Sequence, residues 1–187
     1  MLLSTVKHLS TSKKLLLGAI AAAAVAVAGI GTTYALVTNS TGTFSDRQYF
    51  ATNDTAWTVP AATPAGTWVA VPGMVRTVTV PSGTSRLLDA RFTAESQCSG
   101  GSWCSVRIVY YNSAGVRTEM YPQSGTDFAF DSPESGGSDL WESHAIERNS
   151  RSFLPAGTYR VVVEAAEVGS PNFRLDDMHL AVEAVRP

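Results

Sequence analysis

The side chains of this sequence that could do chemistry are sixteen carboxylates, three histidines, two cysteines and four tryptophans. A carboxylate pair such as Glu142 and Asp177 could act as acid and base, and His144 and His179 could each assist a nucleophile. No G-x-S-x-G, H-E-x-x-H or glycine-rich phosphate-binding pattern accompanies them. Because carboxylates on exposed strand faces are ordinary in soluble domains, the sequence favours a binding role and predicts no catalytic residue.

The tryptophans are the best candidates for ligand contact. Trp103 lies between Cys98 and Cys104, and a ring held in a small covalent loop loses little entropy on binding. We therefore predict that Trp103 stands at a solvent-accessible rim and contacts a ligand, with Tyr121 and Trp141 as weaker candidates. The alternative is that Trp103 folds back over the end of the domain and seals its core, since tryptophan is usually mostly buried.

The two cysteines, Cys98 and Cys104, have five residues between them. A zinc site needs more ligands than these two, and a redox motif needs two intervening residues. The pair therefore predicts a disulfide. We expect it to close a hairpin between strands 87–97 and 104–111, with Gly100 and Gly101 at the reversal.

The adjacent carboxylates Asp176 and Asp177 are the candidate metal ligands. On a regular strand they point to opposite faces, so they could share one ion only at a β-bulge. Calcium takes six to eight oxygen ligands, and these two could begin such a shell. The alternative is that one caps a turn or pairs with Arg174 while the other faces water. A structural calcium is therefore the only cofactor that the sequence suggests.

The elements that position these residues read as strands. Apolar residues alternate with polar ones in runs such as 87–97 and 104–111, and turn residues recur every eight to twelve positions. Pro81, Ser82 and Gly83 predict a turn, and a parity change near Asp176 predicts a bulge. No sustained helical period follows residue 35. We therefore predict an all-β fold, a two-sheet antiparallel β-sandwich of the jelly-roll type.

The first 35 residues are typical of an export signal. Lys7, Lys13 and Lys14 precede the apolar run 15–30, and Thr33 and Ala35 suit a signal-peptidase site. The sixteen-residue run spans about 24 Å as a helix, less than a hydrocarbon core of about 30 Å. We predict a cleaved signal over 1–35, with a retained membrane anchor as the alternative. A Thr-, Ala- and Pro-rich tether with a candidate edge strand (36–66) and the β-sandwich domain (67–187) would follow.

Charge restricts the partners of this exported domain. All three lysines lie in the first fourteen residues, so beyond residue 35 the chain carries 11 arginines against 16 acidic residues. This acidic balance without a lysine cluster argues against nucleic acid as a partner. Contact with a membrane is expected only through an uncleaved N-terminal helix.

Several segments resemble known secreted proteins. The run 154–163 (LPAGTYRVVV) is similar to a turn and strand of secreted jelly-roll modules, including carbohydrate-binding modules, and 173–182 (FRLDDMHLAV) resembles their closing strand. In that strand an acidic residue sometimes serves a structural calcium. Together with 90–96, 103–108, 128–132 and 141–144, they resemble secreted bacterial β-sandwich proteins, which implies fold and export alone.

Taken together, these features predict an extracellular or cell-envelope module that binds carbohydrate or envelope glycan. The first alternative is a structural or protein-interaction domain of the envelope. The second is a small extracellular hydrolase.

Overall fold

The computed structural model describes residues 44–60, 64–100, 103–125, 128–133, 140–169 and 172–187. Every regular secondary-structure element in these ranges is a β-strand. The all-β prediction is therefore confirmed for the described residues. None of these residues belongs to a helix long and apolar enough to cross a membrane. The predicted export signal, residues 1–35, lies outside the described residues, as do residues 36–43.

The described residues form eight strands. They are β1 (Phe44–Asn53), β2 (Trp57–Thr58), β3 (Val69–Ser99), β4 (Trp103–Tyr111), β5 (Arg117–Glu119), β6 (Glu142–Asn149), β7 (Leu154–Val168) and β8 (Asn172–Arg186).

Strand β3 is long enough to belong to two layers. Its first part, up to Arg86, pairs with β7, and its second part, from Leu87, pairs with β8 and β6. The register shifts between Val80 and Ser85, where Gly83 has a φ of 72°. The predicted turn at this point is therefore a bend within one strand, and the chain does not reverse there.

The pairing produces two antiparallel layers. In layer A the order is β1, β8, the second part of β3, and β6, with β2 also paired to β8. In layer B the order is the first part of β3, β7, β4 and β5. This is the arrangement of a two-layered β-sandwich.

The core lies between the layers and follows the alternation in the sequence. From layer A, β3 contributes Leu88, Ala90, Phe92 and Ala94, and from layer B, β4 contributes Val106, Ile108 and Tyr110. Each set occupies every second position, because successive side chains of a strand point to opposite faces. The outward partners of these core residues therefore form the two outer faces of the sandwich.

The first strand lies within the segment that the sequence analysis assigned to a tether with a candidate edge strand (36–66). Strand β1 pairs with β8 from Phe44↔Arg186 to Asn53↔Met178, and Trp57 packs against the core. The domain boundary at residue 67 stays a prediction.

The predicted disulfide is present, but its setting differs from the prediction. Cys98 and Cys104 are bonded, with a Cα–Cα distance of 5.9 Å. Cys98 pairs with Phe173 in layer A, whereas Cys104 pairs with Glu167 in layer B. The predicted hairpin between 87–97 and 104–111 is wrong, because the chain crosses between the layers here and each strand pairs elsewhere. The bond therefore ties the two layers together.

The bulge predicted near Asp176 is confirmed. Thr93 pairs with His179 and Glu95 with Asp176, so two residues of β8 lie opposite Ala94 of β3. Asp177 has a φ of 45°, a conformation that aspartate tolerates better than most residues. The bulge restores the inward direction of Met178 after Leu175, and both side chains are buried.

Candidate functional site

The outer face of layer A carries a groove of about 440 Å³. Three strands supply its walls, each through side chains that alternate with core residues. The lining residues are Asp89, Arg91 and Thr93 of β3, Glu147 of β6, and His179, Ala181 and Glu183 of β8. The small side chains of Thr93 and Ala181 leave room between larger charged ones, so this face can admit a ligand.

An exposed aromatic ring flanks the groove. Phe50 of β1 is 51% exposed and stacks on the imidazole of His179, with ring centroids 5.7 Å apart and planes 28° from parallel. Phe50 lies opposite Ala181 in the β1–β8 register. The backbone carbonyl of Phe50 accepts a hydrogen bond from Nε of Arg76. The two rings therefore form a platform along one side of the groove.

Three carboxylates, those of Asp89, Glu147 and Glu183, lie close together at the other end of the groove. Burial raises the pKa of Asp89 to about 6, helped by the negative charges of Glu147 and Glu183 and opposed by a hydrogen bond from the Ala90 amide. Glu183 accepts a hydrogen bond of 2.9 Å from Nε2 of Gln48. Asp89 therefore changes its charge near neutral pH, inside the groove.

Arg91 supplies the positive charge of the groove. It is exposed and lies opposite Glu147 in the β3–β6 register. Among the described residues it forms no ion pair. Its guanidinium can therefore offer hydrogen bonds to a ligand.

The outer face of layer B is closed by comparison. Glu164 of β7 is 7% exposed and accepts hydrogen bonds from Arg107 (2.7 Å) and Arg117 (2.9 Å). Burial acts to raise the pKa of Glu164, but these arginine bonds outweigh it and hold that pKa below its usual range. The Arg107 guanidinium in turn lies 4.0 Å from the ring centre of Trp68. The charged groups on this face are therefore engaged with one another, through hydrogen bonds and a cation–π contact.

The three aromatic residues predicted to bind ligand do not meet at one place. Trp141 directly precedes β6, and Tyr121 pairs with Asn149, the last residue of β6. An eight-residue strand is about 26 Å long, so these rings lie at opposite ends of it. Trp103 adjoins the disulfide, at the Trp141 end.

Their environments also differ. Trp141 is 38% exposed under the guanidinium of Arg174, and Tyr121 is 48% exposed beneath that of Arg151. Trp103 is half-buried, and its Nε1 is buried without a hydrogen-bond partner among the described residues. The rim position of Trp103 stays a prediction, since its ring is neither freely exposed nor part of the core cluster.

The candidate calcium ligands lie at the bulge of β8. The Asp177 amide donates a hydrogen bond of 2.9 Å to Oδ1 of Asp176, and Asp177 is exposed. Arg174, considered as a partner for one of them, instead donates to Oε1 of Gln97 and covers Trp141. Calcium binding by this pair stays a prediction.

The sequence analysis missed Phe50, Asp89, Arg91 and Glu147 as site residues and considered His179 only as a general candidate. Alternation identifies the outward side chains of β3 and β8, so Asp89 and Arg91 could have been found. The approach of Phe50 to His179 depends on the pairing of β1 with β8, which neither local sequence reveals.

The chain was compared with family models, curated sequences and solved structures. No family model matches the chain, and no curated protein matches its sequence. Among solved structures, infectious bursal disease virus (Gt strain) matches with a TM-score of 0.41 and 14% identity over 76% of this chain and 34% of that chain. The chain thus spans about a third of the length of the virus chain it matches.

Two carbohydrate-binding modules also match. Module CBM6cm-2 of Cellvibrio mixtus lichenase 5A, solved with cellotriose, has a TM-score of 0.32 and 17% identity over 76% of this chain and 95% of its own. The C-terminal CBM6 of LamC from Zobellia galactanivorans has a TM-score of 0.31 and 16% identity over 73% of this chain and 99% of its own.

Proposed function

We propose that this chain is a non-catalytic carbohydrate-binding module whose site is the groove on layer A. One observation carries the proposal. An exposed ring, Phe50 stacked on His179, borders a groove that holds carboxylates and the guanidinium of Arg91, which forms no ion pair with the described residues. The C–H face of a sugar ring packs on such a platform, while its hydroxyl groups bond to charged side chains.

The polar groups of the groove suit a polyhydroxylated ligand. Asp89 and Glu147 accept hydrogen bonds, and Arg91 donates up to five in a planar fork. Adjacent sugar hydroxyls can pair with both kinds of group at once.

The end of the sandwich with Trp103 and Trp141 is the second candidate surface. The exposure of Trp141 supports it, and Tyr121 offers a separate ring at the other end of β6. These three residues remain proposed ligand contacts that the same experiment compares with the groove.

The proposal is tested by retention of the full chain on a glycan array and on insoluble polysaccharides. Phe50→Ala and Arg91→Ala should weaken binding of the retained glycan about tenfold or more, because each removes a contact at the groove. Phe153→Ala, which removes another exposed ring, is the matched control and should bind as the wild type does. Trp141→Ala and Tyr121→Ala test the second candidate surface. Urea unfolding of each variant checks that the fold is intact.

Three results would contradict the proposal, either in the position of the site or in the kind of function. Loss of binding in Trp103→Ala or Trp141→Ala, with Phe50→Ala unaffected, would move the site to the end of the sandwich. Retention of an envelope protein and of no glycan would favour the interaction-domain alternative. Hydrolysis of the retained glycan would make the chain a hydrolase.

We further propose a jelly-roll topology and export from the cytoplasm. With β3 counted as two strands and the two-residue β2 left out, layer A has the order first, eighth, third, sixth, and layer B second, seventh, fourth, fifth. This alternation of strands between two four-stranded layers supports the jelly-roll assignment. Export is supported by the lysine-flanked apolar run before residue 35 and by the disulfide, since such bonds persist in oxidising compartments.

A further inference from the structure

A second cluster of polar side chains lies away from the groove, at the disulfide end of the sandwich. It consists of Asp131, Glu142 and His144, which offer one ligand atom each, all within 4.8 Å of one another. Glu142 and His144 belong to β6. Asp131 is held against layer B by backbone hydrogen bonds with Cys104 of 2.9 Å and 3.2 Å.

Hydrogen bonding identifies which nitrogen of His144 is available. The Ser96 hydroxyl donates to Oδ2 of Asp131 at 2.7 Å and lies 2.9 Å from Nδ1 of His144. A hydroxyl has one proton, and an ionised carboxylate only accepts. Ser96 must therefore accept a hydrogen bond from Nδ1–H of His144. In the neutral ring, Nε2 then carries the lone pair.

That lone pair faces a carboxylate. Nε2 of His144 lies 3.4 Å from Oε2 of Glu142. A lone pair and a carboxylate repel each other unless a positive charge lies between them. A metal ion bound by both side chains would supply that charge.

We propose that His144, Glu142 and Asp131 bind a zinc ion, with water as the fourth ligand. Zinc binds imidazole nitrogen and carboxylate oxygen at about 2.0–2.2 Å in a tetrahedron, which separates two ligand atoms by about 3.3 Å. The Nε2–Oε2 distance of 3.4 Å fits this separation. The mixed nitrogen and oxygen set also favours zinc over calcium, which prefers oxygen alone.

The neighbouring residues hold the imidazole ring of His144 in a fixed orientation. The bond from Nδ1–H to Ser96, and from Ser96 to Asp131, fixes the ring in the manner that metal-bound histidines commonly require. Ser96 is fully buried, and the ring of Phe130 packs edge-on against His144 at 5.4 Å. Ser96 is therefore a positioning residue. Its burial also excludes it as a nucleophile in the present arrangement.

The zinc site would link the two layers a second time. Asp131 is bonded to β4 of layer B, while Glu142 and His144 lie on β6 of layer A. It lies close in the fold to the Cys98–Cys104 bond, because Ser96 is two residues from Cys98 on β3. The site is separate from the groove and does not depend on carbohydrate binding.

The test is calorimetric titration of the metal-free full chain, without a histidine tag, with zinc chloride. We expect one zinc ion per chain. His144→Gln and Glu142→Gln should each weaken its affinity at least about tenfold, and Ser96→Ala about tenfold, because the ring loses its orienting partner. Glu142 is largely exposed, so its variant is not expected to disturb folding. His179→Gln is the matched control and should bind zinc as the wild type does.

Cobalt(II) supplies a second readout, because four-coordinate cobalt absorbs visible light far more strongly than six-coordinate cobalt. The strong absorption should be present in the wild type and in His179→Gln and absent in His144→Gln. Absence of zinc binding by the wild type would overturn the proposal. Unchanged binding in both His144→Gln and Glu142→Gln would overturn it as well.

Discussion

Asp89 lies on the outer face of layer A beside two other carboxylates. Its neighbours are Glu183 on strand β8 and Glu147 on strand β6. The nearest outward-facing cation on its own strand is Arg91. Burial and these two neighbours raise the pKa of Asp89 to about 6. The folded chain therefore holds a proton there that the unfolded chain releases at lower pH.

This shift predicts a pH-dependent effect of Asp89→Asn. A raised pKa contributes stability that is complete below about pH 4 and is lost as the pH rises through about 6. The variant should therefore match the wild type near pH 4 and be more stable by about 1–2 kcal/mol at pH 8. Urea unfolding at both pH values measures the difference.

The exposed Asp177 provides the control. Asp177→Asn removes a carboxylate that lies on the bulge, away from Glu147 and Glu183, and should show no comparable gain at pH 8. An equal gain in both variants would mean that net charge, and not the crowding around Asp89, explains the effect.

At the scale of elements, the inward faces of the strands could be predicted, because alternation is a local property of the sequence. Phe92 and Ile108 are buried as expected, and the parity change at Asp176 did identify a bulge. The connections could not be predicted in the same way. A glycine-rich segment such as 99–102 suits both a hairpin and a crossing between layers, since both need compact, flexible residues. Only the pairing partners of Cys98 and Cys104 distinguish the two.

The same limit applies to both candidate sites. Phe50 and His179 are 129 positions apart in the chain, and Asp131 and Glu142 lie on different layers. Residue type alone marks Asp131 and Glu142 as ordinary surface residues and Phe50 as a core candidate, so it points to neither site. Their meeting depends on long-range strand pairing, which local periodicity does not encode.

The disulfide between the two layers leads to a prediction about stability and thiol reactivity. Its loop is short, so reduction should lower the free energy of unfolding by only about 2 kcal/mol through loop entropy. Both sulfurs are buried, so thiols generated by reduction should react with a labelling reagent slowly in the folded chain and rapidly in urea. Urea unfolding with and without a reductant measures the first effect. Two thiols that react in urea without any reductant would show that the bond does not form in solution.

For the whole molecule, the described residues from Phe44 onward form a two-layered sandwich. The proposed signal ends at Ala35, so cleavage there would leave every described strand intact. The residues between the cleavage site and Phe44 would then precede the first edge strand.

Expression in a bacterial host should therefore yield an exported protein that begins near Leu36. The reason is the lysine-flanked apolar run that ends at Thr33 and Ala35. Intact-mass measurement of the exported fraction checks it. A mass that includes residues 1–35, in protein that remains with the membrane, would instead support the anchor.

The pairing of the first strand with the last has a mechanical consequence. Because β1 and β8 are antiparallel and Phe44 lies opposite Arg186, the unit begins and ends at neighbouring points of one sheet edge. A force that pulls these two points apart loads their hydrogen bonds one at a time, as a zipper opens. Strands loaded in shear break many bonds together and resist far larger forces. Under tension, β1 should therefore peel away first, while the disulfide keeps the rest of the two layers joined.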